Sequence, residues 1–172
     1  MKKLLLTMMM LVMTMSLTAS CGQRHQAVVA VEQTDVEAGE MAPDFELPNL
    51  EGKPTKLSSL RGKYVIIDFW GAWCIWCVRG IPSMKEAYSK YKDKGLMVLG
   101  VAAWDEPEAT KKAIEEDKIS YPQILNSQSI GTDIYGIEGI PHIILFAPDG
   151  SILARGLRGE EIGKKLEGIF NR

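Results

Sequence analysis

Cysteine and histidine are scarce in this sequence, three and two among 172 residues. A tetrahedral zinc site needs four ligands. Once Cys74 and Cys77 are counted as a pair, only His25 and His142 remain as nitrogen donors, so no metal is expected. No basic run or stripe exists either: 20 Lys and Arg stand against 22 Asp and Glu, for a formal net charge of −2. Phosphate backbones are held by clustered cations, which excludes nucleic acid as a partner. Internal repeats and low-complexity segments are absent. What is present is ordinary for a soluble globular domain, with 46% hydrophobic and 24% charged residues. The length suits one domain with an extension.

The extension is at the start. Lys2 and Lys3 precede an uncharged apolar run, Leu4 to Leu17, and the small residues Thr18, Ala19 and Ser20 lead to Cys21. The run is short for a membrane span, which takes about 20 apolar residues. Residues 1–20 are therefore expected to be a signal peptide, and fold reasoning starts after them. Cys21 is the odd cysteine. Leu17 to Cys21 resembles a bacterial lipobox, with Thr18 where Leu is usual, which implies lipidation of Cys21 as the first mature residue. Ordinary cleavage near Ser20 would leave it a bystander thiol. Residues 21–41, polar and without period, are expected to be a lipid anchor and flexible tether. The folded domain is then 42–172, outside the cytoplasm on the periplasmic side of a bacterial membrane.

Within that domain, turn signals at Pro48-Asn49 and Glu51-Gly52 with alternating Phe45 and Leu47 predict a short N-terminal hairpin. Tyr64 to Trp70 is apolar except for Asp68 and reads as a central strand buried on both faces. Cys74 to about Tyr91 reads as a helix interrupted and kinked at Pro82. Leu96 to Ala103 is a second buried strand. Glu106 to Asp117 is a helix with Asp105 or a neighbour as cap and Pro107 in its first turn. Ile130 to Tyr135 suggests a short helix. His142 to Ala147 and Ser151 to Ala154 form a hairpin about Pro148-Asp149-Gly150, and Glu160 to Phe170 a last amphipathic helix. The order β-α-β-α, then β-β-α, predicts an α/β fold: a mixed sheet flanked by helices on both faces, with the N-terminal hairpin as an extension.

Chemistry concentrates in Trp73-Cys74-Ile75-Trp76-Cys77. A Cys-x-x-Cys opening a helix just after a buried strand places the first cysteine where free N–H groups and the positive helix end favour a thiolate. The thiolate is the nucleophile of disulfide exchange. The second cysteine, about one turn inside, can close on the first. A structural disulfide or half of a zinc site would use the same spacing.

Asp68 to Cys77 with Pro82, and Gly139-Ile140-Pro141, resemble the thioredoxin superfamily. Ala42 to Leu47, Leu60 to Lys63 and Pro148 to Gly150 narrow the resemblance to TlpA/ResA-type membrane-anchored thiol–disulfide oxidoreductases, over about Pro43 to Phe170. It implies a thioredoxin-like domain in which Cys74 attacks and Cys77 resolves. Cys74 is then expected to be exposed and Cys77 shielded. Pro141 matches the family's cis-proline, and Asp68 the buried acid behind the second cysteine, able to take and return its proton. Trp73, Ile75, Trp76 and Ile140 would line the substrate groove. Protein disulfides are the implied substrates, a membrane-associated thiol protein the implied electron donor, and no cofactor is called for. Reduction is the implied direction.

Three positions depart from that pattern. Gly80 stands where many relatives carry Glu, the pair Ile75-Trp76 lacks the proline common between the cysteines, and His142 replaces a common Thr. A copper-binding or delivery module using Cys74, Cys77 and His142 is an alternative, since thiolates suit Cu(I). A peroxiredoxin-like peroxidase is another, but Ile67 and Gly71 occupy the Pro and Thr/Ser positions of the peroxidatic motif. Trp70 and Trp104 are expected to be core or groove aromatics.

Overall fold

The computed structural model describes residues 37–125 and 130–171. The expected signal peptide, Cys21 and most of the tether lie outside the described residues. Seven strands occur among them: β1 (Glu46–Pro48), β2 (Pro54–Lys56), β3 (Tyr64–Trp70), β4 (Leu96–Ala102), β5 (Gln123–Ile124), β6 (His142–Phe146) and β7 (Ile152–Arg155). There are three α-helices, α1 (Ile75–Tyr91), α2 (Pro107–Glu116) and α3 (Glu160–Phe170). The hairpin β1–β2 is separate from a five-stranded sheet of order β5-β4-β3-β6-β7. In that sheet β3, β4 and β5 run parallel, whereas β6 is antiparallel to β3 and to β7.

β3 is the centre because its sequence can be dry on both sides. Val65, Ile67 and Phe69 join one core with Leu99, Val101, Ile144 and Phe146. Ile66 faces the other way with Val98 and Leu145. Helix α1 follows the 3.6-residue period, burying Cys77, Ile81, Met84, Ala87 and Tyr91 on one stripe. Ile66 thereby meets Met84, Ala87 and Tyr91 of α1 and Ile162 and Leu166 of α3. The Phe170 ring stacks on Tyr91 with centroids 4.8 Å apart. Each of these fully buried aliphatic side chains contributes about 1.5–3 kcal/mol of transfer free energy.

Helical cover exists on both faces, but unequally. The face opposite α1 and α3 is closed by Phe45 beside the hairpin, a 3-10 turn at Leu57–Leu60 and a π-helical turn at Ile130–Ile134. Pro82 does not end α1, which runs through it. It is exposed on the solvent side of the helix, where water can reach the carbonyl that its missing N–H leaves free. Helix α2 is capped by Glu106 without a side-chain bond, and Pro107 opens it. Residues ahead of the expected domain start also belong to the fold: Gly39 N–H donates to Ile152 C=O and Ile152 N–H to Glu40 C=O.

β5 escapes a reading from pattern because it is two residues long and its first residue is a glutamine. Gln123 is nevertheless buried at 2% exposure, and every polar end is used: Trp70 Nε1 donates to its Oε1 at 2.9 Å and its Nε2 donates to Tyr121 C=O at 3.2 Å. Gly100 on β4 makes the space, because a Cβ there would overlap the Gln123 amide. Gly100→Ala is therefore expected to destabilise the oxidised protein by about 1–3 kcal/mol through overpacking and loss of the Trp70–Gln123 bond. Chemical denaturation of the two proteins measures it, and equal midpoints would remove this contact from the account.

Candidate active site

Cys74 and Cys77 are joined as a disulfide, with their Cα atoms 5.2 Å apart. Cys74 is the N-cap of α1, and the Cys77 N–H donates to its Sγ at 3.2 Å. The same N–H groups and the positive helix end would meet a thiolate at Cys74 after reduction. Both cysteines are buried in this oxidised state, at 4% and 5% exposure. The expectation of an exposed Cys74 is corrected on this point: Cys74 packs with Trp70, Ile81 and Ile140 and is bonded to Cys77. The side chains around it are the exposed ones, with Trp73 at 62%, Ile75 at 59% and Trp76 at 66%. Three large apolar groups are thus left in water beside one disulfide.

The turn that delivers Cys74 is clamped. Cys74 N–H donates to Gly71 C=O, and a Cβ on Gly71 would press on Trp73 Nε1, Ile140 Cδ1 and the Ala103 carbonyl, the nearest at 3.0 Å. Trp73 Nε1 donates to Trp104 C=O at 2.7 Å. Trp104 carries φ of 53°, a left-handed conformation that disfavours a bulky residue by about 1–2 kcal/mol. Asp105 closes the clamp: its Oδ2 accepts from Ala72 N–H at 2.5 Å and from Thr110 Oγ1 at 2.9 Å. Asp105 and Thr110 were absent from the sequence-based site. Nothing in the local pattern marks them, since the bond to Ala72 spans 33 positions.

Asp68 sits in the middle of β3, paired across to Gly100 and Ile143. It is 7% exposed, and burial pushes its pKa up from 3.8 to about 7, with the Tyr121 hydroxyl opposing the shift. Asp68, Cys77, Gly80 and Pro141 line one cavity of about 260 Å³. The Ile140–Pro141 bond is cis, as expected. Ile140 packs beside Trp70 and both cysteines. The structure thus brings Asp68, Cys77 and Pro141 together with Trp76 in one cavity lining, and leaves Trp73 on the other flank beside Trp104 and Asp105.

His142 is drawn elsewhere. It begins β6 opposite Phe69, and its Nε2 is buried without a partner. Burial, followed by the charges of Arg155 and Arg158, lowers its pKa to about 4. At neutral pH it is uncharged and supplies no cation to a thiolate. Among the described residues, no three His, Cys, Asp or Glu side chains are grouped so as to hold a metal ion. The copper reading lacks its ligand set.

A vicinal cysteine pair at the head of a helix, with a buried carboxyl in the cavity behind it, fits disulfide exchange. On this sheet it defines the class of thioredoxin-like thiol–disulfide oxidoreductases. The AhpC/TSA family model matches residues 38–155, and the chain belongs to that family as a thiol–disulfide oxidoreductase similar to ResA. The thiol-disulfide oxidoreductase ResA of Geobacillus thermodenitrificans is 33% identical over 98% of this chain and 99% of its own length. Among solved structures, the thioredoxin domain of a Bacteroides vulgatus thiol-disulfide oxidoreductase matches with a TM-score of 0.73 and 39% identity, covering 79% of this chain and 99% of that one. A thiol:disulfide interchange protein from a Bacteroides species gives 0.74 and 38%, over 81% and 93%.

The raised pKa of Asp68 has a consequence for stability. Between about pH 4 and 7 the folded carboxyl keeps a proton that the unfolded one has lost. The folded state binds more protons there, so stability from this group is full below about pH 4 and declines as pH rises through 7. Asp68→Asn should remove that decline and raise the stability of the oxidised protein near pH 8 by on the order of 1–3 kcal/mol. Denaturant midpoints from pH 4 to 8 measure it; parallel curves for the two proteins would mean that Asp68 titrates normally.

Proposed function

We propose that this chain reduces protein disulfides outside the cytoplasm, with Cys74 as attacking thiol, Cys77 as resolving thiol and Asp68 as proton carrier. The observation behind these roles is the division of the pair: Cys74 caps α1, whereas Cys77 shares the inner cavity with Asp68 and Pro141. In the reduced protein, the Cys74 thiolate attacks one sulfur of the substrate disulfide. The substrate S–S bond breaks, its other sulfur leaves as a thiolate that takes a proton, and a mixed disulfide forms. Asp68 accepts the proton of Cys77. The Cys77 thiolate attacks Cys74 Sγ, the mixed disulfide breaks, and the second substrate sulfur leaves to be protonated in turn. Two electrons pass to the substrate, and the Cys74–Cys77 disulfide remains. A thiol protein at the membrane restores the dithiol by the same exchange in reverse.

The exposed Trp73, Ile75 and Trp76 offer the substrate an apolar landing, and the backbone of Ile140 can pair with an extended segment as an added strand would. Asp68, poised near neutrality, suits a group that must both take and return a proton. A peroxidase reading has family membership in its favour, but Ile67 and Gly71 leave the peroxidatic motif unfilled. The location rests on residues 1–21, with acylated Cys21 as the anchor. More than one acyl chain makes such anchoring stable, at about 0.8 kcal/mol for every buried CH₂.

Two outcomes check this. Cys74→Ser should abolish disulfide reduction, and Cys77→Ser should accumulate mixed disulfides with substrate proteins in cells, visible as bands that collapse on reduction; trapping by Cys74→Ser instead would reverse the assignment. In a detergent partition, the wild type should enter the detergent phase and Cys21→Ala should remain in the aqueous phase. A wild type found wholly in the aqueous phase would remove the anchor.

A further inference from the structure

We propose that the cavity behind Cys77 is a specificity subsite for an acidic side chain carried by the substrate beside its disulfide. This rests on the exchange reading above and adds a preference to it. The cavity, about 260 Å³, is lined on one side by Asp68, Met84, Ile143 and Ile162 and at its rim by Arg79 and Arg158. Asp68 is its one carboxyl, and it lies deep in the sheet rather than at the rim. Gly80, about one turn beyond Cys77 in α1, leaves open space, with nothing within 4 Å of a Cβ built there. No acidic side chain therefore rises from α1 at this position to neutralise the arginines.

Arg79 lies over the Trp76 ring, with its guanidinium carbon 4.8 Å from the centroid. That contact holds the cation beside the disulfide while leaving its five N–H donors free for a carboxylate. Neither Arg79 nor Arg158 is in an ion pair among the described residues. Glu161, next to Arg158, is engaged with the Arg158 backbone N–H at 3.0 Å. The positive charge is local. On the other flank of the active-site turn, the surface beside Trp73 and Trp104 carries Asp105 and Glu106. A disulfide-bearing segment lying across Trp73, Ile75 and Trp76 meets cations on the Cys77 side and carboxylates on the other. Charge complementarity places an Asp or Glu of the substrate over the cavity, where a planar guanidinium can take it in a bidentate pair.

The test uses the reduced protein and three peptides, each closed by one internal disulfide and differing only in a Glu, Gln or Lys next to the attacked cysteine. At low salt, kcat/KM should fall in the order Glu, Gln, Lys, with Glu exceeding Lys by about three- to tenfold, mainly through KM. The order should flatten in 0.5 M salt. Arg79→Gln with Arg158→Gln should bring the Glu peptide down to the Gln peptide, and Arg79→Lys with Arg158→Lys should restore part of the preference. Equal kcat/KM for three peptides that are all reduced would overturn the subsite and leave the exchange reading standing. Failure to reduce any of them would overturn the exchange reading, and the subsite with it. The salt series on the wild type decides the matter even if a variant fails to fold.

Discussion

The site depends on one constraint, the dryness of β3. A strand with neighbours on both edges and helices or turns on both faces cannot shift by one residue without sending Ile66 and Ile67 to the wrong cores. Its register therefore sets where Trp70 ends and where Gly71 to Trp73 must turn. Because β3 and β4 are parallel, the loops after both emerge at one edge of the sheet, and Trp104 and Asp105 meet Ala72 and Trp73 there. Antiparallel β6 begins at the same edge, which brings cis-Pro141 alongside. Three segments distant in the chain converge at the carboxyl ends of the parallel strands, where open α/β sheets leave a crevice.

That convergence includes groups that folding alone would not favour. Asp68 occupies a strand position where any aliphatic residue would pack, and burial of its charged form is what raises its pKa. Trp104 holds a left-handed backbone, and three large apolar side chains stay in water around the disulfide. Such violations gathered at one end of an otherwise consistent core are the expected mark of a working site. The well-packed remainder, with Tyr91 stacked on Phe170 and Gln123 fully bonded, supplies the stability that carries them.

Much of the fold was legible because its elements announce themselves through period. β3 and β4 are continuous apolar runs, α1 and α3 repeat their buried residues every three or four positions, and Pro148-Asp149-Gly150 marks the β6–β7 turn. β5 was not legible, since two residues carry no period and Gln123 reads as polar. The hairpin was legible from its turn signals and alternation, but the packing of Leu47 and Phe45 against one face of the sheet was not.

For the site, sequence alone determined the cysteine pair, its place at a helix start, the acid in a buried strand and the proline ahead of another strand. Each of these is local, set by the neighbours within one turn or one strand. Tertiary structure decided the rest. It buried both sulfurs and left Trp73, Ile75 and Trp76 exposed, withdrew charge from His142, tied Asp105 to Ala72, and opened a cavity behind Cys77 rimmed by Arg79 and Arg158. Exposure, pKa and cavity shape are sums over whatever surrounds a group in space, and chain neighbours are only a small part of that surrounding.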